Sequence, residues 1–145
     1  ILDGENSIIG IESTIVECTD SSVKILRPGK VSAVEIAKVT GLDISMTDGP
    51  SRAPGMLLAH YAPSALVELC DSLSDAQARL EHYEARGTLA EILHHEDPAV
   101  YALSLYDDMR SADLRGSEVV VAVLPPLGGL GAAIRDRLTK AAASH

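Results

Sequence analysis

The run "EVVVAVL" at 118–124 constrains the fold more than any other stretch, because nothing polar follows its first residue. A strand with one wet face alternates apolar and polar side chains. A strand without alternation is covered on both faces, as inside a parallel sheet. Covering both faces takes helices, and the chain supplies them. "SDAQARLEHYEARG" (74–87) reads as a helix capped by Ser74 and stopped by Gly87. "DPAVYALSLYDDMRSAD" (97–113) places Asp97 at an N-cap and Pro98 at the first helical position, with Val100, Leu103, Tyr106 and Met109 at helical spacing. In "GGLGAAIRDRLTKAAA" (128–143), Ile134, Leu138 and Ala141 share a helical face. "ALVELC" (65–70) reads as a second strand, and "TLAEILHH" (88–95) is open between a short strand and a helical turn. Strand, helix, helix, strand, helix predicts a small α/β layer with a mostly parallel sheet over 65–145.

The first part of the chain has another texture. "IIGIESTIVE" (8–17) is β-branched and roughly alternating, and after the polar "CTDSS" comes "VKIL", so a hairpin is expected. "SAVEIAKVTG" carries Ser32 as N-cap, Glu35 three residues on and Gly41 as the stop: a capping box and a glycine end around a short helix. The opening "ILDG" reads as the end of a buried strand entering a turn, so the chain is expected to begin inside a fold, as the C-terminal part of something longer. Residues 42–65 hold three prolines, two glycines and no sustained period. A connection that long is more often functional or disordered than idle. Its "GMLLAHYA" is too apolar for a solvated tether, which favours a segment packed on a surface.

Apolar residues make up 46% of the chain, yet Phe and Trp are absent, so the core must be aliphatic. The formal charge is −9, with 5 basic against 8 acidic residues up to Pro63 and 7 against 13 beyond it. Neither part offers the basic stripe that nucleic-acid binding needs, so direct binding of nucleic acid by this chain is not expected. Cys18 and Cys70 form no CxxC pair and read as buried free thiols in a reducing compartment. No apolar run reaches the roughly 20 residues needed to span a bilayer, and a cytoplasmic location without a membrane partner is the default.

Several stretches could carry chemistry. "GGLG" (128–131) sits where a phosphate could meet a helix N-terminus, but it lacks both the full G-x-G-x-x-G spacing and a P-loop lysine, and a tight turn accounts for it better. His82, His94 and His95 lack metal-ligand spacing and read as solvated, so no metal site is expected. A hydrolase triad through Ser13 and His60 would need a nucleophile elbow, whereas Ser13 lies in a strand-like "ESTIV". A ligand-contacting hydroxyl suits Ser13 better than a covalent role. In "ILRPGKV", Arg27 stands at a strand end, where an arginine suits a phosphate or carboxylate; alone it could also be a surface residue.

"GIESTIV", "ILRPG" and "APGMLLAHYAP", in that order and spacing, resemble the two-domain threonylcarbamoyl-AMP synthases, as does the tail from "YALSLYDDMRSADLRG" to "GLGAAIRDRLTKAA". That resemblance implies the end of a YrdC-like catalytic α/β domain at 1–41 (hairpin plus helix), an interdomain linker or lid at 42–64, and a small Rossmann-like three-layer α/β domain at 65–145. It implies a nucleotidyltransferase that joins L-threonine, bicarbonate and ATP, the ATP carrying Mg2+, into threonylcarbamoyl-AMP for modification of tRNA adenosine 37. Ser13 and Thr14 would contact L-threonine. Arg27, His60 and Tyr61 would contact ATP, the last two reaching from a strap whose path Pro54, Gly55 and Pro63 fix. No residue of this chain is expected to be a catalytic nucleophile or base. The family's Lys-x-Arg and Ser-x-Asn motifs are not in this chain, so it needs an N-terminal catalytic half as partner and is expected to be inactive alone. The competing reading is a non-catalytic module that binds a nucleotide or a protein partner and regulates.

Overall fold

In "EVVVAVL" the all-apolar pattern does what its physics requires. The computed structural model describes residues 7–46 and 62–144. Among these residues the elements are β1 (Ile15–Cys18), β2 (Val23–Arg27), α1 (Ala33–Thr40), β3 (Ile44–Met46), β4 (Leu66–Cys70), α2 (Leu73–Glu84), β5 (Ala90–Leu93), α3 (Pro98–Arg115), β6 (Val119–Val123) and α4 (Leu130–Ala142). β6 is the middle strand of a three-stranded sheet, order β4-β6-β5, and pairs parallel with both neighbours. All five of its residues are buried. Val119, Val121 and Val123 face one core with Cys70 and Ala76, against which Tyr83 of α2 packs. Val120 and Ala122 face the other, with Tyr101, Leu105 and Met109 of α3 and Ala133, Ile134 and Leu138 of α4. The result is three layers, one helix on one side and two on the other.

The N-terminal elements form a second sheet, order β1-β2-β3, with β1 antiparallel and β3 parallel to β2. The hairpin and α1 follow the sequence reading. Ser32 N–H donates to Glu35 Oε2 at 2.8 Å, Glu35 N–H donates to Ser32 Oγ at 3.3 Å, and Gly41 closes the helix in the left-handed region at φ 69°. The first strand is shorter than "IIGIESTIVE" suggests: residues 8–14 are not strand. Gly10, at φ 76°, lies against α3, where a Cβ would sit 2.2 Å from the Ala102 carbonyl oxygen. Docking on that helix takes the segment out of the sheet. The stretch read as linker opens with β3, and its remainder from 47 to 61 lies outside the described residues.

Other differences have plain causes. The cap of α2 is Ser72, whose Oγ accepts from Asp75 N–H at 3.1 Å; Ser74 only hydrogen-bonds to that hydroxyl. "TLAEILHH" resolves into β5, since pairing with β6 decides a pattern that propensity leaves open. On α3 the buried stripe is Tyr101, Ala102, Leu105, Met109 and Ala112, so Val100 and Leu103, each 47% exposed, point outward. Cys70 is buried but Cys18 is exposed. The last helix buries Ile134, Leu138 and Ala141 as their spacing requires.

"GGLG" is a turn set by sterics. Gly128 and Gly129 have φ of 136° and 48°, and a Cβ on Gly131 would lie 2.0 Å from the Pro126 carbonyl oxygen. No described helix is long and apolar enough to cross a membrane.

Candidate functional site

Ser13, Thr14 and Arg27 come together where the segment before β1 crosses the end of β2. Arg27 is buried, 8% exposed, and folds back along its neighbour. Its Nε and Nη2 donate to the Ser13 carbonyl oxygen at 3.1 and 3.0 Å, and Nη2 reaches Ser13 Oγ at 3.4 Å. Thr14 Oγ1 donates to the Val31 carbonyl at 2.7 Å, tying the segment to the far side of the "RPG" turn. The turn and the segment touch backbone to backbone: a Cβ on Gly29 would lie 2.4 Å from Thr14 N, 2.6 Å from the Glu12 carbonyl oxygen and 2.6 Å from the Ser13 carbonyl carbon. The arginine therefore fixes Ser13 through its fork geometry. Burial removes the surface-arginine reading, and the contacts of Nε and Nη2 run to Ser13. His60 and Tyr61 lie outside the described residues.

The sequence reading passed over the residues that tie this corner to the second layer. Glu12 Oε2 accepts from Arg137 Nε at 2.9 Å and from Tyr106 O–H at 3.2 Å, joining "GIEST" to α4 and α3. Arg137 Nη2 also donates to the Pro28 carbonyl at 3.2 Å. A signal was available: Arg137 falls on the same helical face as Ile134, Leu138 and Ala141, and a charge inside an apolar stripe needs a partner.

Burial acts to raise the Glu12 carboxyl, but the hydrogen bond from its own backbone amide and the Arg137 charge outweigh it and hold the group below the usual carboxylate range. Burial, then the Glu12 charge, pushes the Tyr106 phenol far up, so it stays protonated and donates. Because the folded-state value for Glu12 is depressed, its contribution to stability is present above the ordinary carboxylate pKa and is lost as pH falls through the folded value. The stability gap between wild type and Glu12→Gln is expected to be full at pH 7 and to shrink below about pH 4. Urea denaturation at both pH values measures it; a gap independent of pH would contradict the pairing.

A second polar cluster lies beyond the end of β5. His95 Nε2 meets Asp108 Oδ2 at 2.8 Å and Ser104 Oγ at 3.0 Å. Both partners address the same ring nitrogen, so this is no nucleophile–base–orienter relay. His94 Nδ1 is buried without a hydrogen-bond partner. These two histidines are thus partly packed rather than solvated as their sequence suggested, while His82 is exposed. Among the described residues no three His, Cys, Asp or Glu side chains stand together to hold a metal ion.

A family model for the C-terminal domain of threonylcarbamoyl-AMP synthase matches residues 31–143. The chain belongs to that family. The threonylcarbamoyl-AMP synthase of Bacillus subtilis is 32% identical over 166 residues, covering 98% of this chain and 48% of the relative. That of Pyrococcus abyssi is 30% identical over 164 residues, again covering 48% of its length. The chain thus spans about half the length of these curated relatives. A structure of P. abyssi Sua5 complexed with L-threonine superposes with a TM-score of 0.80 at 29% identity, covering 97% of this chain and 48% of that one. A P. abyssi Sua5 variant with an adjacent histidine and tyrosine both replaced by alanine gives 0.77 at 26% identity, over 94% of this chain and 46% of that one.

Proposed function

We propose that this chain forms part of an L-threonylcarbamoyladenylate synthase and that residues 12–14 and 27–29 form one wall of its substrate site. The observation that carries the reading is the Ser13–Arg27 corner in a chain that matches a threonine-complexed relative over 97% of its length. The reaction suits such a wall. The amine of L-threonine adds to the carbon of bicarbonate, and loss of water leaves a carbamate. A carbamate oxygen then attacks the α-phosphorus of ATP, the bond to the β-phosphate oxygen breaks, and pyrophosphate leaves. No protein nucleophile is required; positioning, charge stabilisation and exclusion of water suffice.

In this reading the Ser13 hydroxyl faces L-threonine, the Thr14 hydroxyl, its proton given to the Val31 carbonyl, can only accept from it, and Arg27, whose Nε and Nη2 hold Ser13, lends its positive charge to the nucleotide side of the site. His60 and Tyr61 close over the site from the strap, and replacement of an adjacent histidine–tyrosine pair in the P. abyssi relative points attention to them. Mg2+ would arrive on the ATP phosphates, since the described residues supply no ligand cluster for it. The product would serve tRNA adenosine 37 in the cytoplasm, delivered as a small molecule because a chain of charge −9 is ill suited to hold tRNA itself. The missing basic motifs would come from an N-terminal catalytic half.

The test is pyrophosphate release by the complete translation product of the gene, whatever it carries beyond these residues. Release that requires both L-threonine and bicarbonate supports the proposal, and release by a folded product that ignores threonine sinks it. His60→Ala is expected to lower turnover about tenfold or more with the fold intact, as loss of a closing segment does. Unchanged kinetics would remove the strap from the site. A protein partner bound without nucleotide would favour the regulatory module instead.

A further inference from the structure

Glu12 stands directly before Ser13, and Pro28 directly after Arg27; one side chain from the far end of the chain grips both. Arg137 is 5% exposed on α4. Its Nε donates to Glu12 Oε2 at 2.9 Å and its Nη2 to the Pro28 carbonyl at 3.2 Å. Asp136 pairs with it from behind and is itself held by Lys140 Nζ at 2.7 Å. Tyr106 of α3 donates to the same Glu12 oxygen. We infer that Arg137 is a positioning residue: through its guanidinium fork, the second layer sets how segment 12–14 lies against turn 27–29, and so how well the site recognises L-threonine. The part that concerns threonine rests on the function proposed above.

These contacts position the segments and do more than hold the helix down. First, α4 is already docked by Ile134, Leu138 and Ala141, all buried. A buried ion pair adds little stability that an apolar residue of similar volume would not, because desolvation offsets its Coulomb attraction. Second, the contacts are directional. A planar fork with N–H groups in fixed directions can hold two acceptors on separate segments in one register, whereas an ammonium on a flexible stem cannot. The segments it grips flank the ligand-facing groups on both sides, and Gly29 lets them touch.

The test compares wild type with Arg137→Lys, which keeps the charge and loses the fork, in the complete translation product. Hydrogen exchange without substrate reads the brace directly. Amides of the β1–β2 ladder beside the site, Ile15–Cys18 and Val23–Arg27, are expected to exchange about tenfold faster in the variant while those of β6 do not change, which corresponds to a local opening easier by about 1.4 kcal/mol. In pyrophosphate release, the KM for L-threonine is expected to rise by about the same factor, with kcat and the KM for ATP within about threefold. Unchanged exchange at those amides in a folded variant overturns the inference, as does an unchanged threonine KM. If Arg137→Lys does not fold, Glu12→Gln weakens the same grip more gently and carries the same expectations in direction, at about threefold. Should wild type show no threonine-dependent turnover, the proposed function fails, and the exchange measurement still decides whether the brace exists.

Discussion

Replacing Tyr101 with alanine is expected to remove about 4 kcal/mol of stability, the middle of the range for deleting a buried aromatic ring. The chain has no Phe or Trp, and Tyr101 is fully buried on α3 in the aliphatic core. Its hydroxyl lies 3.1 Å from the Leu93 carbonyl oxygen and 3.0 Å from that of Val123 and shares its one proton between them, so it also stitches the ends of β5 and β6. Burial pushes the phenol far up, which keeps it a donor at any ordinary pH. Tyr101→Phe should cost only about 1 kcal/mol, because the ring stays and one hydrogen-bonding group goes. Urea denaturation of both variants separates cavity from hydrogen bond. Equal losses in the two would mean that the hydroxyl, and not the packing, dominates.

Gly29→Ala is expected to cost about 3 kcal/mol, at the upper end for overpacking, and to weaken L-threonine binding about tenfold or more. The added methyl would meet backbone atoms of Glu12, Ser13 and Thr14, which cannot rotate away as a side chain would. To admit it, the segment must lift from the turn, stretching the Arg27–Ser13 and Thr14–Val31 hydrogen bonds together. Denaturation and calorimetric titration on the complete translation product measure both effects. A loss below about 0.5 kcal/mol with threonine affinity intact would show that the two segments are not in contact.

The C-terminal layer was legible because its signals are local and agree. Asp97 and Pro98 mark a helix start by their own chemistry, and a strand without alternation admits few placements other than the centre of a sheet. Where the reading slipped, a long-range partner decided. β5 needed β6 to become a strand, and segment 8–14 needed α3 to leave the sheet. Val100 and Leu103 matched the helical period as well as Tyr101 and Leu105 do, and only the sheet's position selects between those faces.

The site divides the same way. Ser13, Thr14 and Arg27 are singled out by motif resemblance, and the structure brings the three together. Glu12, Tyr106 and Arg137 were missed because their pairing spans most of the chain, and neither composition nor spacing encodes which buried arginine meets which carboxylate.

The most direct measurement is a hydrogen-exchange footprint of the complete translation product with and without L-threonine plus ATP. Slower exchange across 10–18 and 25–31, with no change across β6, is the result this account requires. Slowing confined to the region around His95 and Asp108, or none anywhere in a protein that binds both ligands, would contradict it.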